Sequence, residues 1–336
     1  MDTVILGKTG LRATVAGLGC GGFSRIGIEK YGPDHAAGIV RAAFDEGVNF
    51  YDTAAAYGTE GAVGQGLADI PRSNYIISTK YPYKRGEDWR GDGEAKLMAS
   101  LENSLRELRS DYVDVYHLHG VTSEDYADAR DIFVPAMLKA KEQGKIRFLG
   151  ITELFFSDTS HEMLKVAVPE NIFDVIMVGY NMLNPSAAKF ILPKATELDT
   201  GVLCMFAVRA ALSNPEQLVI DIEKIIENGQ AGVGLEAAKN ALDFLLADET
   251  TVAPPAQSAT PPANAAPPTL PSASTIMDAA YRFCRHTPPI HIVLTGTGSV
   301  DHLYDNLRSI NSPRLPAPIL ERLDMLFGRV DCVSGQ

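Results

Sequence analysis

Short apolar runs bounded by turn residues recur along the chain at 14–18, 48–52, 75–80, 113–119, 148–152, 175–180, 202–206 and 290–295, and each has the length and boundaries of a strand. Helical periodicity fills the gaps. Ile39, Val40, Ala43 and Phe44 share one face, as do Leu97, Leu101, Leu105 and Leu108, and further helical patterns fall at 131–143, 186–198, 276–286 and 300–310. The alternation predicts an α/β protein, a parallel (β/α)8 TIM barrel in a single domain over residues 1–336. A doubly wound open sheet is the rival. Gly17, Gly19 and Gly22 in "GLGCGG" satisfy GxGxxG. The acidic residue that a dinucleotide fold places about 20 positions later would here fall within an amphipathic helix instead of at a strand end, so the barrel is preferred.

A barrel of this kind needs about 250 residues, and the surplus in this 336-residue chain falls between the seventh strand and the seventh helix, as an insertion over 213–274. "SNPEQLVIDIEKIIENG" predicts a helix capped by Ser213 or Asn214, with Pro215 as its first residue, and "GLEAAKNALDFLLADE" has a second helical pattern. Next comes "TVAPPAQSATPPANAAPPTLPSAS", residues 251–274, in which only Val252 and Leu270 are strongly apolar. Such a stretch buries too little surface to offset ordering entropy, and is expected to be an unstructured, tolerated insertion.

With 46% hydrophobic and 21% charged residues the chain has the composition of a soluble globular protein. Its net charge of −12 argues against a nucleic-acid surface. Cys20, Cys204, Cys284 and Cys332 are scattered without CxxC spacing, which predicts no metal site and no disulfide framework. No leader pattern or long apolar stretch occurs, so a cytoplasmic protein without membrane contact is expected.

The candidate chemistry lies at the strand ends. In "NFYDTAAAYG", Asp52 ends a strand and Tyr57 follows in the turn; in "NYIISTKYP", Ile76, Ser78 and Lys80 share a face and Lys80 is nearest the turn. "DYVDVYHLHG" gives His117 and His119 the same parity, with His119 nearer the mouth. A barrel brings Asp52, Tyr57, Lys80 and His119 together at its active end. Reducing a carbonyl requires an acid for the developing alkoxide, and a tyrosine with a free pKa of about 10 needs tuning to serve. A neighbouring ammonium lowers that value by about 1–3 units, Asp52 holds the ammonium in place, and His119 orients the carbonyl oxygen.

These motifs, with "LGKTGL", "GLGCGGF", "GKIRFLGIT", "YNML" and "LTGTGSVDHLYDNL", make the chain similar to the aldo-keto reductases over almost its whole length. The resemblance implies a (β/α)8 barrel that binds NADP(H) or NAD(H) across its mouth and interconverts a small-molecule carbonyl and its alcohol, with no protein partner required. It makes Tyr57 the general acid/base, Lys80 and Asp52 its tuning pair, and His119 the substrate-orienting group. It implies cofactor contacts from Gly21, Gly22, Phe23, Asp52, Tyr180 and Arg209. Thr152 and Glu153 stand where the family usually has Ser-Asn for the carboxamide, and Met177 where it usually has Gln. The aromatic that stacks on the nicotinamide corresponds to Met205 or Phe206. Gly296, Thr297, Gly298 and Ser299 are assigned to the phosphates and Asp305 with Asn306 to the adenine, with Gly298 and His302 where Arg or Lys often binds a 2′-phosphate. The alternative is a sensor subunit of the same fold that binds cofactor with little turnover. Substrate choice is expected to lie in the loops 23–31, 83–89 and 121–131 and in the insertion, with Tyr83, Trp89 and Phe155 as a candidate apolar wall.

Overall fold

The computed structural model describes residues 1–83, 89–235, 240–246 and 273–336. Strands β1 (Thr3–Ile5) and β2 (Arg12–Thr14) form an antiparallel hairpin. The strands β3 (Ala16–Gly19), β4 (Phe50–Asp52), β5 (Ile76–Tyr81), β6 (Val113–Val121), β7 (Ile146–Glu153), β8 (Val175–Gly179), β9 (Gly201–Met205) and β10 (Ile292–Thr295) follow. They close a parallel barrel in the order β10-β3-β4-β5-β6-β7-β8-β9. Each predicted strand is one stave of that barrel.

Side-chain alternation divides the strands into two cores. Outward residues such as Leu18, Tyr51, Ile77, Tyr116, Ile151, Ile176 and Val202 pack beneath the surrounding helices, among them Pro33–Asp45, Gly93–Leu108, Tyr126–Glu142 and Val300–Ile310. Inward residues Phe50, Ile76, Val115, Val175, Met177, Leu203 and Ile292 fill the barrel, floored by Leu6, Leu11 and Ala13 of the hairpin. The hairpin was not predicted, because strands this short carry no alternation. Thr14, placed by its sequence in the first barrel strand, ends β2 instead: its hydroxyl donates to the Ala16 carbonyl at 2.8 Å and its N–H to Asn49 Oδ1 at 2.7 Å. That contact turns the chain between hairpin and barrel.

The insertion helix Pro215–Glu227 starts on Asn214, whose side chain accepts the Glu216 N–H at 2.9 Å. Ser213 instead ends a short preceding helix, Ala210–Ser213. Leu218, Ile222 and Ile225 pack with Leu323, Leu326 and Phe327 of a C-terminal helix, Ala317–Phe327, and with Ala279 and Ala280 of helix Ile276–Arg285. This second core had a sequence signal in the spacing of Leu320, Leu323 and Leu326 after Pro318. Where a second insertion helix was predicted, the described residues hold one 3-10 turn, Asp243–Leu245. Residues 236–239 and 247–272, which include most of the Pro-rich stretch, lie outside the described residues. No described helix is long and apolar enough to cross a membrane.

Two inward glycines clear space for rings near the mouth. A Cβ on Gly179 would lie 2.0 Å from the Phe155 ring, and one on Gly150 would lie 2.2 Å from Nδ1 of His117. Both contacts are far inside van der Waals range, and His117 is fully buried, so its ring has nowhere to retreat. Gly150→Ala is therefore expected to cost about 1–3 kcal/mol in urea-unfolding free energy, the scale of overpacking a core; unchanged stability would mean that the His117 ring can move.

Candidate active site

Parallel pairing of β4 with β5 sets Asp52 opposite Ser78, and pairing of β5 with β6 sets Lys80 opposite His117. All four side chains point into the barrel. Lys80 is 0% and Asp52 3% exposed. The Lys80 ammonium donates to Asp52 Oδ2 at 2.6 Å and to the Thr53 carbonyl at 2.7 Å. Ser78 Oγ donates to the other carboxylate oxygen at 2.8 Å, and His117 Nε2 lies 3.0 Å from Ser78 Oγ. His117 thus lies one layer below the mouth, where its sequence position put it.

Tyr57 ends the 3-10 turn Ala55–Tyr57 and reaches back over the mouth, half-buried, with its hydroxyl 3.2 Å from His119 Nε2. Lys80 Nζ is 4.9 Å from the Tyr57 ring centroid, and a Cβ on Gly21 would meet that ring at 2.5 Å. The β6–β7 register runs Leu118↔Ile151 and then Val121↔Glu153, so His119 and Gly120 form a bulge on β6. The bulge is held by the Gly120 N–H, which donates to Thr152 Oγ1 at 2.6 Å. Such an irregularity re-aims a side chain at a barrel rim, and here it turns His119 towards Tyr57. The four candidate catalytic residues therefore converge.

Burial works against every charge in this cluster. It pulls Lys80 down, but Asp52 and Tyr57 more than offset this and leave its pKa raised. Burial pushes Asp52 up, while Lys80 and Ser78 draw it back. Tyr57 is also raised, because desolvation outweighs the opposing pull of Lys80. The net lowering expected from the sequence is not what the environment produces; the ammonium moderates an upward shift. Burial and the Lys80 charge press His119 down from 6.5 to about 3, so it is a neutral imidazole near neutrality.

The candidate cofactor residues divide into those at the mouth and those turned from it. Met205 faces inward beside the barrel-interior core. Phe206 follows at φ +67° and carries the Arg209 guanidinium 4.1 Å from its ring centroid. Arg209 also lies 5.5 Å from the ring of Phe23, which is 79% exposed, and its Nε donates to Gln336 Oε1 at 3.0 Å. Gly22, at φ +72°, leaves room for Arg209, since a Cβ there would lie 3.2 Å from Nη1. Gly296 packs against the Gly19 carbonyl and Gly298 against Gly27, so these glycines bring the loop after β10 onto the loop after β3. The Thr297 hydroxyl accepts the Ser299 N–H at 3.1 Å, Ser299 caps helix Val300–Ile310 by accepting the His302 N–H at 3.4 Å, and the His302 side chain is exposed. Thr152 points inward, its oxygen engaged by Gly120.

Glu153 and Tyr180 are turned from the barrel interior, for one reason: strand alternation sets them on the outer face. Glu153 accepts from His161 Nδ1 at 2.9 Å and from the Gly179 N–H at 2.7 Å, and His161 Nε2 lies 3.0 Å from Ser186 Oγ. Tyr180 stacks on Phe283 at 5.5 Å in the outer core. Asn306 is tied to Thr295 Oγ1 at 2.9 Å and Asp305 pairs with Arg308 at 2.7 Å on the surface. Tyr83 and Trp89 are buried against each other and Phe133, and Phe155 lies between His161 and Phe206, so all three are packing residues instead of an open wall. Sequence reasoning missed His161, Ser186 and Gln336, which only the folded arrangement brings near the site. The cysteines are free, and no cluster of three or more potential ligands suited to a metal occurs among the described residues.

Comparison with known proteins agrees with this fold. A family profile described as Aldo/keto reductase family matches residues 17–326. L-galactose dehydrogenase of Arabidopsis thaliana is 34% identical over 208 residues, 59% of this chain and 62% of the plant enzyme, so the match spans under two thirds of that relative. Among solved structures, the holo form of an aldo-keto reductase from Bacillus halodurans superposes with a TM-score of 0.67 at 22% identity, covering 96% of this chain and 95% of that one. A Klebsiella pneumoniae aldo-keto reductase in complex with NADPH gives 0.65 at 21% identity, covering 98% and 96%. These two likenesses concern the fold.

The neutral state of His119 has a stability consequence. Its pKa is about 3 folded against an ordinary 6.5, so between those values the unfolded chain binds a proton that the folded chain refuses. The associated stability is complete above about 6.5 and is lost as pH falls towards 3. His117, pressed down in the same way, adds to the same slope. Melting temperature should thus fall on acidification through this window, and less steeply for His119→Gln; equal slopes would show that His119 ionises freely in the native state.

Proposed function

Because the chain belongs to the aldo/keto reductase family, whose members are oxidoreductases, we propose that it is a nicotinamide-dependent enzyme that reduces an aldehyde or ketone to its alcohol, or runs the reverse oxidation, with Tyr57 as general acid/base. One observation carries the reading: the Tyr57 hydroxyl stands 3.2 Å from a neutral His119 at the barrel mouth, above the buried Lys80–Asp52 pair. These are the groups that carbonyl reduction requires.

The dinucleotide would lie across the mouth. Arg209 brings a half-buried cation whose recorded hydrogen-bond partner is the amide oxygen of Gln336, and the Ser299-capped helix start lies across the Gly21–Gly22 loop from it. Both favour an anion. Gly21, Gly22, Phe23, Phe206, Arg209 and residues 296–299 would hold the cofactor, with Met205 and Thr152 nearest the barrel interior. The NADPH bound in the Klebsiella relative supports NADP(H), with NAD(H) the alternative.

A reduced nicotinamide supplies the hydride when bound; the protein supplies the proton and its control. Tyr57, kept protonated by burial, gives its hydroxyl proton to the substrate oxygen as charge develops there. Lys80 stabilises the phenolate left behind, and Asp52 keeps Lys80 charged and in place. His119 is neutral, so it hydrogen-bonds the same oxygen without competing as an acid. In oxidation the roles reverse, and the name of the Arabidopsis relative, L-galactose dehydrogenase, supports a sugar alcohol group as one substrate class to test.

Tyr57→Phe removes the proton donor and keeps the ring. Turnover should drop by about 100-fold or more, the scale of general acid catalysis, while dinucleotide affinity read by fluorescence stays near wild type. Wild-type turnover in this variant would refute the role of Tyr57. Tight dinucleotide binding by the wild type, without turnover of any aldehyde, ketone or sugar in either direction, would favour the sensor reading instead.

A further inference from the structure

Beneath the four residues at the mouth lies a second polar layer that the reaction outlined above does not use. Ser78 and His117 are both fully buried, inside a barrel otherwise filled by Phe50, Ile76, Val115 and Met177. A buried hydroxyl and imidazole are costly unless hydrogen-bonded. An aliphatic side chain at 117 would fill the layer without that cost, and without the clearance that Gly150 provides for the ring. The polar pair therefore calls for a reason.

Its geometry supplies one. The carboxylate of Asp52 only accepts, so the single hydroxyl proton of Ser78 goes to Asp52 Oδ1, at 2.8 Å. Ser78 Oγ must then accept from His117 Nε2, at 3.0 Å, which makes His117 the neutral Nε2–H tautomer. Its Nδ1 has no hydrogen-bond partner of good geometry among the described residues, although the Ile151 backbone opposes the fall in the ring's pKa. Lys80 holds the other carboxylate oxygen at 2.6 Å. We propose that His117 and Ser78 are positioning residues that keep Asp52 ionised and aimed at Lys80, so that the Tyr57 acid is controlled from the barrel interior as well as from the mouth.

The environment of Asp52 makes this support necessary. Burial pushes its carboxyl up, and Lys80 from β5 and the Ser78 hydroxyl oppose that push. The other titratable or charged groups facing the cluster are Tyr57, His117 and His119, the Cys20 thiol beyond β3, Arg209, which acts on Tyr57, and Glu60, which feels the Lys80 charge. From β7 come only Gly150 and Thr152, which do not titrate. Without the Ser78 donor, Asp52 accepts a proton at higher pH and Lys80 loses its counter-charge. The inference rests on the proposed catalytic reading for its kinetic arm, but its tautomer arm does not.

The test compares Ser78→Ala, His117→Leu and His117→Gln with wild type, recording kcat against pH and imidazole 15N shifts. Ser78→Ala removes the donor to the Asp52 carboxylate and should move the acid limb of kcat up by about one pH unit or more, and His117→Leu, which removes only the bond behind Ser78, should move it in the same direction by less. His117→Gln keeps an N–H towards Ser78 and should move it less than His117→Leu does. Ser78→Ala, a loss of one oxygen, keeps the kinetic test open if His117→Leu does not fold. Wild-type His117 should show the neutral Nε2–H tautomer at neutral pH. A lowered melting temperature with an unmoved acid limb would reduce the pair to a structural role, and an Nδ1–H tautomer would break the chain of donors; either overturns the proposal. If the wild type itself does not turn over, the catalytic reading fails, and the 15N result alone decides whether the donor chain exists.

Discussion

The contact between Lys80 and Asp52 governs the arrangement around it. Taking an ammonium and a carboxylate out of water costs several kcal/mol per ion, recovered only where geometry is good and the remaining lone pairs and protons are engaged. Both conditions hold: Lys80 reaches Asp52 and the Thr53 carbonyl, and Asp52 accepts from Ser78 as well. They hold because β4 and β5 are neighbours in a register that pairs Asp52 with Ser78, which puts Lys80 one repeat nearer the mouth. A slip of one residue would turn Lys80 into the outer hydrophobic core. Charge pair and register thus enforce one another, and Tyr57 and His119 close over the result.

Much of this was legible because strand parity is a hard constraint. Lys80 with Ser78, and His119 with His117, share faces by simple alternation, and counting to the strand ends was enough to put Asp52, Lys80 and His119 near one rim. Parity also sets two residues apart. Glu153 and Tyr180 have outward parity on β7 and just beyond β8, and the structure buries them beneath the helices. A family position names a residue, but alternation decides which face it takes.

What was not legible depended on contacts between distant segments. The bulge at His119–Gly120 needs Thr152 from the next strand. The reversed balance at Tyr57 depends on how completely the turn is buried, which a sequence does not state. The partners of Glu153 arrive from the helix start at His161 and the turn at Ser186. Together they form a support behind the mouth: His161 stacks on Phe155, Phe155 packs edge-on against Phe206, and Phe206 carries Arg209.

That last stack bears on how a protein of net charge −12 would hold the anionic cofactor proposed for its mouth. Charges on the far side of the molecule matter little, because at physiological ionic strength their influence decays over about 8 Å. What an anionic ligand meets is local: an arginine held over an aromatic ring and partly desolvated, beside the start of an 11-residue helix. Partial burial strips Arg209 of part of its hydration, and the Phe206 ring and the Gln336 side-chain oxygen fix its direction, so an anion placed there would meet a cation already oriented.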